Sequence, residues 1–231
     1  MKKNTKTYYL LILDKSGSMD NVISETVNGF NEQVQMIKNL KEKYPEQEII
    51  VSLTTFNHYV DHDLFLTKPS QLKELKALRG RPTNRHGIAE TVNFVYFPSG
   101  LTALYDAIGR SVNKLREKIK KEIKNNEASA VVVIITDGHE NASREYSYED
   151  ISKMIRELEK SNNWTFSYLG STPDAVNIAR GMNIASNNAM YYDKMKMQKV
   201  WKEDLNESME NYIKSKISGS VNKDFLKKKN N

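Results

Sequence analysis

Three short apolar runs, Tyr8–Leu13, Ala130–Thr136 and Trp164–Leu169, constrain this chain more than any other feature. Each is hydrophobic at nearly every position, rich in β-branched or aromatic residues, and cut off by Asp or Gly. A strand with one wet face alternates apolar and polar residues, whereas a strand apolar throughout needs cover on both faces. Crossover connections between parallel strands supply that cover, so these runs read as buried parallel strands of an open sheet. A fourth run, Glu48–Phe56, is followed by Tyr59–Leu66 across the short link Asn57–His58, which suits an antiparallel hairpin. A weaker strand, Ala189–Tyr192, comes late.

The segments between strands repeat with helical period. Ile23, Val27, Phe30, Val34 and Ile37 recur at steps of four and three, one face of an amphipathic helix that ends before Pro45. Leu104, Ala107, Ile108, Val112, Leu115 and Ile119 predict a helix over Ala103–Ile119. Ser147–Leu158 opens with Ser147 and Asp150 at capping-box spacing. Asp174–Ala179 reads as a short helix, and Met197–Ile217 as a long one with Trp201, Leu205, Ser208 and Tyr212 on one side. Strands alternating with helices predict an α/β fold with helices on both faces of the sheet, and such sheets hold their ligands beyond the carboxyl ends of the strands. No repeat or Pro/Gly linker divides the 231 residues. We expect one domain over residues 1–220, with 67–100 an extended connection and 195–217 a C-terminal helix. Residues 221–231 read as a flexible basic tail.

Composition closes off several classes of function. The absence of cysteine excludes disulfides, iron–sulfur clusters, zinc–thiolate sites and cysteine nucleophiles. No apolar run approaches the roughly 20 residues of a membrane span. Lysines precede the first apolar run as in a signal peptide, but Tyr8–Leu13 is shorter than the ~7–15 residues required, and Asp14 and Lys15 end it. We therefore expect a cytoplasmic protein. The net charge of +6 comes mostly from lysines and acids interspersed along the chain, with a local excess at Lys223 and Lys227 to Lys229. This describes a solvated surface and argues against nucleic acid as the partner.

The residues that carry chemistry gather at strand ends. The first strand runs into Asp14-Lys15-Ser16-Gly17-Ser18-Met19, and VVVIIT runs into Asp137-Gly138. Two such hydrophobic strands belong at the sheet centre, which brings Asp14 and Asp137 close together. Between them in sequence, the turn Gly100-Leu101-Thr102 precedes a strong helix. Carboxylates and hydroxyls without His or Cys form a hard-oxygen set that suits Mg²⁺, Mn²⁺ or Ca²⁺ and disfavours zinc or copper. Neutral hydroxyls leave most of the ion's charge available to an incoming anionic oxygen. Each residue also has a plainer reading. Asp14 and Asp137 could only terminate strands, Ser16 and Ser18 only form a turn, and Thr102 only cap the helix that starts at Ala103. Thr102 could do both jobs.

Taken together, Asp14-x-Ser16-x-Ser18, Thr102 and Asp137 resemble the metal-ion-dependent adhesion site of von Willebrand factor A domains. The blocks LLILDKSGSM, GLTALYDAIG and VVVIITDGHENAS are similar to those of compact, stand-alone members from bacteria and their phages, in the same order from about Thr7 to Tyr192. The resemblance implies a three-layer α-β-α open sheet of about six strands, mostly parallel with one antiparallel edge strand. It implies that Ser16, Ser18 and Thr102 bind Mg²⁺ (or Mn²⁺ or Ca²⁺) through hydroxyls, and Asp14 and Asp137 directly or through water. It further implies a protein partner whose Asp or Glu carboxylate completes the coordination, and so an adhesion or scaffold module rather than an enzyme.

Two other functions compete. One is a structural or assembly role, in a phage particle (hence virion association) or a chaperone complex. The other is a metal-assisted phosphatase with Asp14 as nucleophile. Such a phosphatase wants a second acid where Ser16 stands, and no acid–base pair is identifiable. His139 and Glu140 read as groups that support the cluster's residues from behind or stand at its rim, and His58, His62 and His86 as surface histidines. Gly170-Ser171-Thr172 reads as an ordinary strand-to-helix turn. The 67–100 connection is longer than the resemblance leads one to expect; Arg79, Arg81, Arg85 and His86 make its middle basic, and Ile88–Phe97 has enough apolar residues to pack. Because it leads into the Thr102 loop, it is either a surface excursion or a specificity element.

Overall fold

The computed structural model describes residues 4–78, 94–219 and 221–226. Its strands are β1 (Lys6–Asp14), β2 (Glu48–Phe56), β3 (Val60–Thr67), β4 (Lys76–Ala77), β5 (Val95–Tyr96), β6 (Ala128–Thr136), β7 (Trp164–Gly170) and β8 (Ala189–Tyr191). Six of them form one sheet in the order β3-β2-β1-β6-β7-β8. Neighbours are parallel except at the β2–β3 edge, where the hairpin makes the pairing antiparallel. The central strands β1 and β6 run in register from Lys6 opposite Ala128 to Leu13 opposite Ile135, so their carboxyl ends finish side by side.

The apolar runs are continuous because both faces are covered. Along β1, Tyr9, Leu11 and Leu13 enter one core while Tyr8, Leu10 and Ile12 enter the other. The first face carries α1 (Ile23–Lys43) and the C-terminal helical stretch; the second carries α2 (Leu104–Lys124), α3 (Tyr148–Glu159) and α4 (Ala175–Gly181). The Ser147–Asp150 capping box is formed in both directions at the start of α3. This is the three-layer α/β architecture, with a six-stranded, mostly parallel sheet and one antiparallel edge strand.

The C-terminal stretch differs in detail from a single regular helix. It consists of α5 (Met197–Lys199), a π-helical segment over Val200–Leu205, and α6 (Asn206–Ile217). In the π segment Trp201 packs closely against Gly29 in α1; a Cβ there would fall 2.2 Å from the indole. Farther along, α6 sets Lys216 on the amino-terminal end of the sheet, only 2% exposed. Its ammonium donates to the Lys6 carbonyl (2.6 Å), Thr7 Oγ1 (2.8 Å) and Ser129 Oγ (2.9 Å). Burial among these neutral oxygens pushes its pKa down to about 7.

Part of the expected tail packs. Phe225 and Leu226 are buried, with the Phe225 ring 6.3 Å from that of Tyr9 and 6.0 Å from that of Tyr212. The Asn188 side chain also accepts the Phe225 and Leu226 N–H groups and donates to the Lys223 carbonyl; Lys227 to Lys229 lie outside the described residues. The 67–100 connection is anchored at both ends. Leu72 and Leu75 are buried, the Asn31 amide clamps both backbone groups of Leu75, and β4 pairs with β5. Phe94 stacks edgewise on Phe30, and Tyr96 is fully buried. The stretch 79–93, with Arg79, Arg81, Arg85 and His86, lies outside the described residues. Among the described residues no helix is long and apolar enough to cross a membrane.

Candidate metal centre

At the carboxyl end of β1 the chain leaves the sheet through Lys15, whose N–H donates to the Phe56 carbonyl, and turns into a 3-10 segment at Gly17. Asp14 is completely buried at this exit. Its Oδ1 accepts the Ser16 N–H and its Oδ2 accepts the Thr136 hydroxyl, both at 2.6 Å. The Tyr96 hydroxyl donates to the Asp14 carbonyl, so the end of the 67–100 connection braces this residue from behind. Burial pushes the Asp14 carboxyl up to about 6, against the pull of the Thr136 and Ser16 hydrogen bonds, with the Asp137 charge adding to the rise. A carboxyl placed this way gains from any neighbouring cation.

The hydroxyls continue the cluster. Ser16 Oγ lies 3.0 Å from Ser18 Oγ, and Ser18 Oγ donates to Asp137 Oδ1 at 2.6 Å. Gly138 marks where the Thr102 loop closes on it. A Cβ at Gly138 would sit 3.4 Å from Thr102 Oγ1 and 3.6 Å from Ser18 Oγ, so both hydroxyls pass over the same glycine. Asp14, Ser16, Ser18, Thr102 and Asp137 thus gather at the ends of β1 and β6, as the sequence predicts. Among the described residues no three His, Cys, Asp or Glu side chains form a metal-binding group. The donor set here is two carboxylates and three hydroxyls, all hard oxygens.

Thr102 does not cap α2. The helix begins at Leu104, and the residue in the cap position is Ala103, with no side-chain cap. The backbone donors of the first turn are satisfied from across the chain instead. Ala103 N–H donates to the Asn57 carbonyl (2.7 Å), Tyr105 N–H to Glu140 Oε2 (2.9 Å) and Asp106 N–H to Ser143 Oγ (3.0 Å). Thr102 itself is held by Asn141, whose side chain accepts its N–H and whose N–H donates to its carbonyl. This frees the Thr102 hydroxyl from the helix terminus.

Glu140 and Asp106 make this clamp reciprocal. Glu140, expected behind the cluster or at its rim, also accepts the N–H groups of Ala142 and Ser143. Asp106 accepts those of Arg144, Glu145 and Tyr146. Burial opposes ionisation of Asp106, but these three donors outweigh it and hold its carboxyl below the usual range. The loop after Asp137 and the start of α2 are therefore one hydrogen-bonded unit.

On the other side, Gly17 N–H donates to the Gly100 carbonyl, and Gly100 adopts a φ of +74° under the His58 ring. A Cβ there would fall 2.2 Å from His58 Nδ1, so the close approach and the left-handed backbone both require glycine. Tyr59 and Leu101 stand exposed beside this turn and line a groove of about 660 Å³ that runs past Arg110 and Arg144.

The remaining sequence candidates fall outside the cluster. His139 is exposed and faces Asp174 at 3.9 Å; His58 is exposed; His62 is half-buried and bonded to Thr54. Gly170-Ser171-Thr172 is a strand-to-helix turn whose Ser171 bonds the Thr136 and Asp137 carbonyls. Two contacts at the cluster have no counterpart in local sequence pattern. Thr136 braces Asp14, and the Lys194 ammonium, arriving from the segment after β8, pairs with Asp137 Oδ2 and the Ser18 carbonyl.

The chain matches the von Willebrand factor type A domain model over residues 10–207. No curated protein matches it. Among solved structures it is similar to proximal thread matrix protein 1 from the mussel byssus, at 16% identity and a TM-score of 0.54, covering 87% of this chain and 46% of that one. It is also similar to a von Willebrand factor type A protein from Catenulispora acidiphila, at 12% identity and a TM-score of 0.54, covering 90% and 43%. A third is the D319A mutant of the PilB minor pilin from Streptococcus sanguinis, at 12% and 0.54, covering 95% and 64%. At these identities the likeness is one of fold, and the chain spans between 43% and 64% of the length of these structures. A family match that takes in β6, β7 and most of the remaining sheet, with this strand order, leaves one assignment: the chain belongs to the von Willebrand factor type A domain family.

Proposed function

We propose that this domain is a protein-binding module that works through one divalent cation held by Asp14, Ser16, Ser18, Thr102 and Asp137. The observation that carries this reading is the convergence of two buried carboxylates and three hydroxyls at the ends of β1 and β6. Oxygen donors alone fit Mg²⁺ best, with Mn²⁺ or Ca²⁺ as substitutes. A bound ion of this kind supplies an electrophilic position for an anionic oxygen, for which an Asp or Glu carboxylate of a partner protein is the natural match.

The chain's own residues do the rest. Thr136 and the Ser16 N–H orient Asp14, Ser18 orients Asp137, and the Glu140–Asp106 clamp holds the Thr102 hydroxyl over Gly138. Exposed Tyr59 and Leu101 offer apolar contact beside the cluster, and Arg110 and Arg144 offer charge to an acidic surface. We read the module as non-catalytic, as cytoplasmic, and as one of the bacterial or phage kind.

Calorimetry on protein stripped with chelator tests the reading. One Mg²⁺ or Mn²⁺ site should appear, vanish in both Asp14→Ala and Asp137→Ala, and weaken in Thr102→Ala but not in Thr102→Ser. Because Thr102 caps no helix, Thr102→Ala should leave the melting temperature in chelator unchanged. Stoichiometric binding retained in both aspartate variants would refute the metal site. Phosphatase turnover with Mg²⁺ that Asp14→Asn abolishes would refute the non-catalytic reading.

A further inference from the structure

We propose that Lys194 is a built-in competitor for the divalent cation, so that the module binds its ion less tightly than its oxygen donors alone would. The inference rests on the metal-centre reading and goes beyond it. Asp137 Oδ1 accepts the Ser18 hydroxyl, whereas buried Oδ2 accepts no hydrogen bond among the described residues and faces the Lys194 ammonium as an ion pair. The same ammonium donates to the Ser18 carbonyl, so it bridges two of the residues that would hold the ion. The Asp137 side chain is 1% exposed and that of Lys194 26%, which places this pair inside the cluster and not on a solvated face.

The lysine is also positioned. Two residues earlier, the Tyr192 hydroxyl donates to the Thr136 carbonyl, and Tyr192 N–H donates to the Gly170 carbonyl. Immediately before it, Asp193 caps the turn Lys194–Lys196 by accepting the Met195 N–H at 3.0 Å. The stem of Lys194 therefore starts from fixed backbone beside the ends of β6 and β7. Nearby lysines behave differently. Lys15, inside the serine motif, turns its ammonium away to Asp61 at 2.6 Å, and Lys196 is 68% exposed with Asp193 at 3.7 Å.

An ammonium and a dication on one buried carboxylate repel each other at low local dielectric, so ion binding must expel Lys194. The free energy of its ion pair is then subtracted from the ion's affinity, a coupling that acts in both directions. Until it is expelled, Lys194 offsets part of the charge of buried Asp137.

The experiment is a Mn²⁺ titration by calorimetry at fixed ionic strength, on chelator-stripped wild type, Lys194→Met, Lys194→Arg and Lys196→Met, together with melting curves in chelator and in saturating Mn²⁺. We expect Lys194→Met to bind Mn²⁺ roughly tenfold more tightly, a usual size for such coupling. Lys194→Arg should stay nearer the wild-type affinity, and Lys196→Met should match it. In chelator Lys194→Met should melt below wild type, and saturating Mn²⁺ should narrow that gap. Equal or weaker binding by a folded Lys194→Met overturns the inference, as does equal tightening by Lys196→Met, which would reduce it to surface charge. If wild type and Lys194→Met bind with one affinity, only the role of Lys194 fails. If neither binds Mn²⁺, the metal-centre reading fails and takes this inference with it.

Discussion

Replacing Lys216 by Met should flatten the pH dependence of this domain's stability. In the folded chain the Lys216 pKa is pushed from 10.5 down to about 7, because burial strips water from the ammonium and only neutral oxygens replace it. A shift of about 3.5 units at about 1.4 kcal/mol each corresponds to roughly 5 kcal/mol against folding when the group is charged in both states. The sign follows from proton counting. Below pH 7 both states are protonated and the whole penalty is present. Between about pH 7 and 10.5 the unfolded chain binds a proton that the native state lacks, so stability rises by about 1.4 kcal/mol per pH unit.

From pH 7.5 to 9.5 the wild type should therefore gain about 2–3 kcal/mol that Lys216→Met does not. Methionine keeps the apolar stem and leaves Thr7, Ser129 and the Lys6 carbonyl without the ammonium, a fixed offset that cancels when slopes are compared. The window also stops below the normal titration of tyrosine, at about 10, so the neighbouring Tyr212 does not intrude. Urea denaturation followed by fluorescence of buried Trp164 and Trp201 at three pH values measures both slopes. Parallel lines for the two proteins would show that Lys216 titrates normally and would refute the reasoning.

Two other substitutions test the packing that positions the site. Glu140→Ala removes the acceptor for the N–H groups of Tyr105, Ala142 and Ser143, and should cost about 2 kcal/mol in urea denaturation while weakening metal binding. Unchanged stability would mean that the start of α2 is satisfied by other acceptors. Gly29→Ala drives a methyl group to 2.2 Å from Trp201 Cγ and Cδ1 and should cost about 1–3 kcal/mol, with part of that loss absent in the Trp201→Ala background, which removes both atoms. Additive losses in the double variant would show that the two residues are not in contact.

Much of the architecture was legible in the chain itself. Tyr8–Leu13 and Ala130–Thr136 are apolar without alternation because each is covered on both faces, and burial on both faces defines a central parallel strand. Two such strands in register bring their terminal residues together, which is why Asp14 and Asp137 could be paired before any coordinates. Ser16, Ser18 and Thr102 joined them as one set through the resemblance to the family's metal site, since each alone also reads as a turn or cap residue. Helix periodicity placed α1 and α2, and Ser147 with Asp150 marked the start of α3 by a cap built from neighbours in sequence.

What tertiary structure decided lies in contacts between distant segments. The same local logic left Thr102 open as cap of α2, as ligand, or as both, but Glu140 and Ser143 arrive from the β6 loop and satisfy the helix start, leaving Thr102 to the cluster. Lys194 at Asp137 and Lys216 beneath Thr7 and Ser129 look in sequence like any other solvated lysine. Phe225 and Leu226 sit in a basic stretch that reads as tail until the Tyr9–Tyr212 surface is there to receive them. Periodicity and propensity report interactions over about one helical turn or one strand pair. Which side chain reaches a buried charge, or loses its water, depends on how the loops return to the sheet, and that is set only when the layers close.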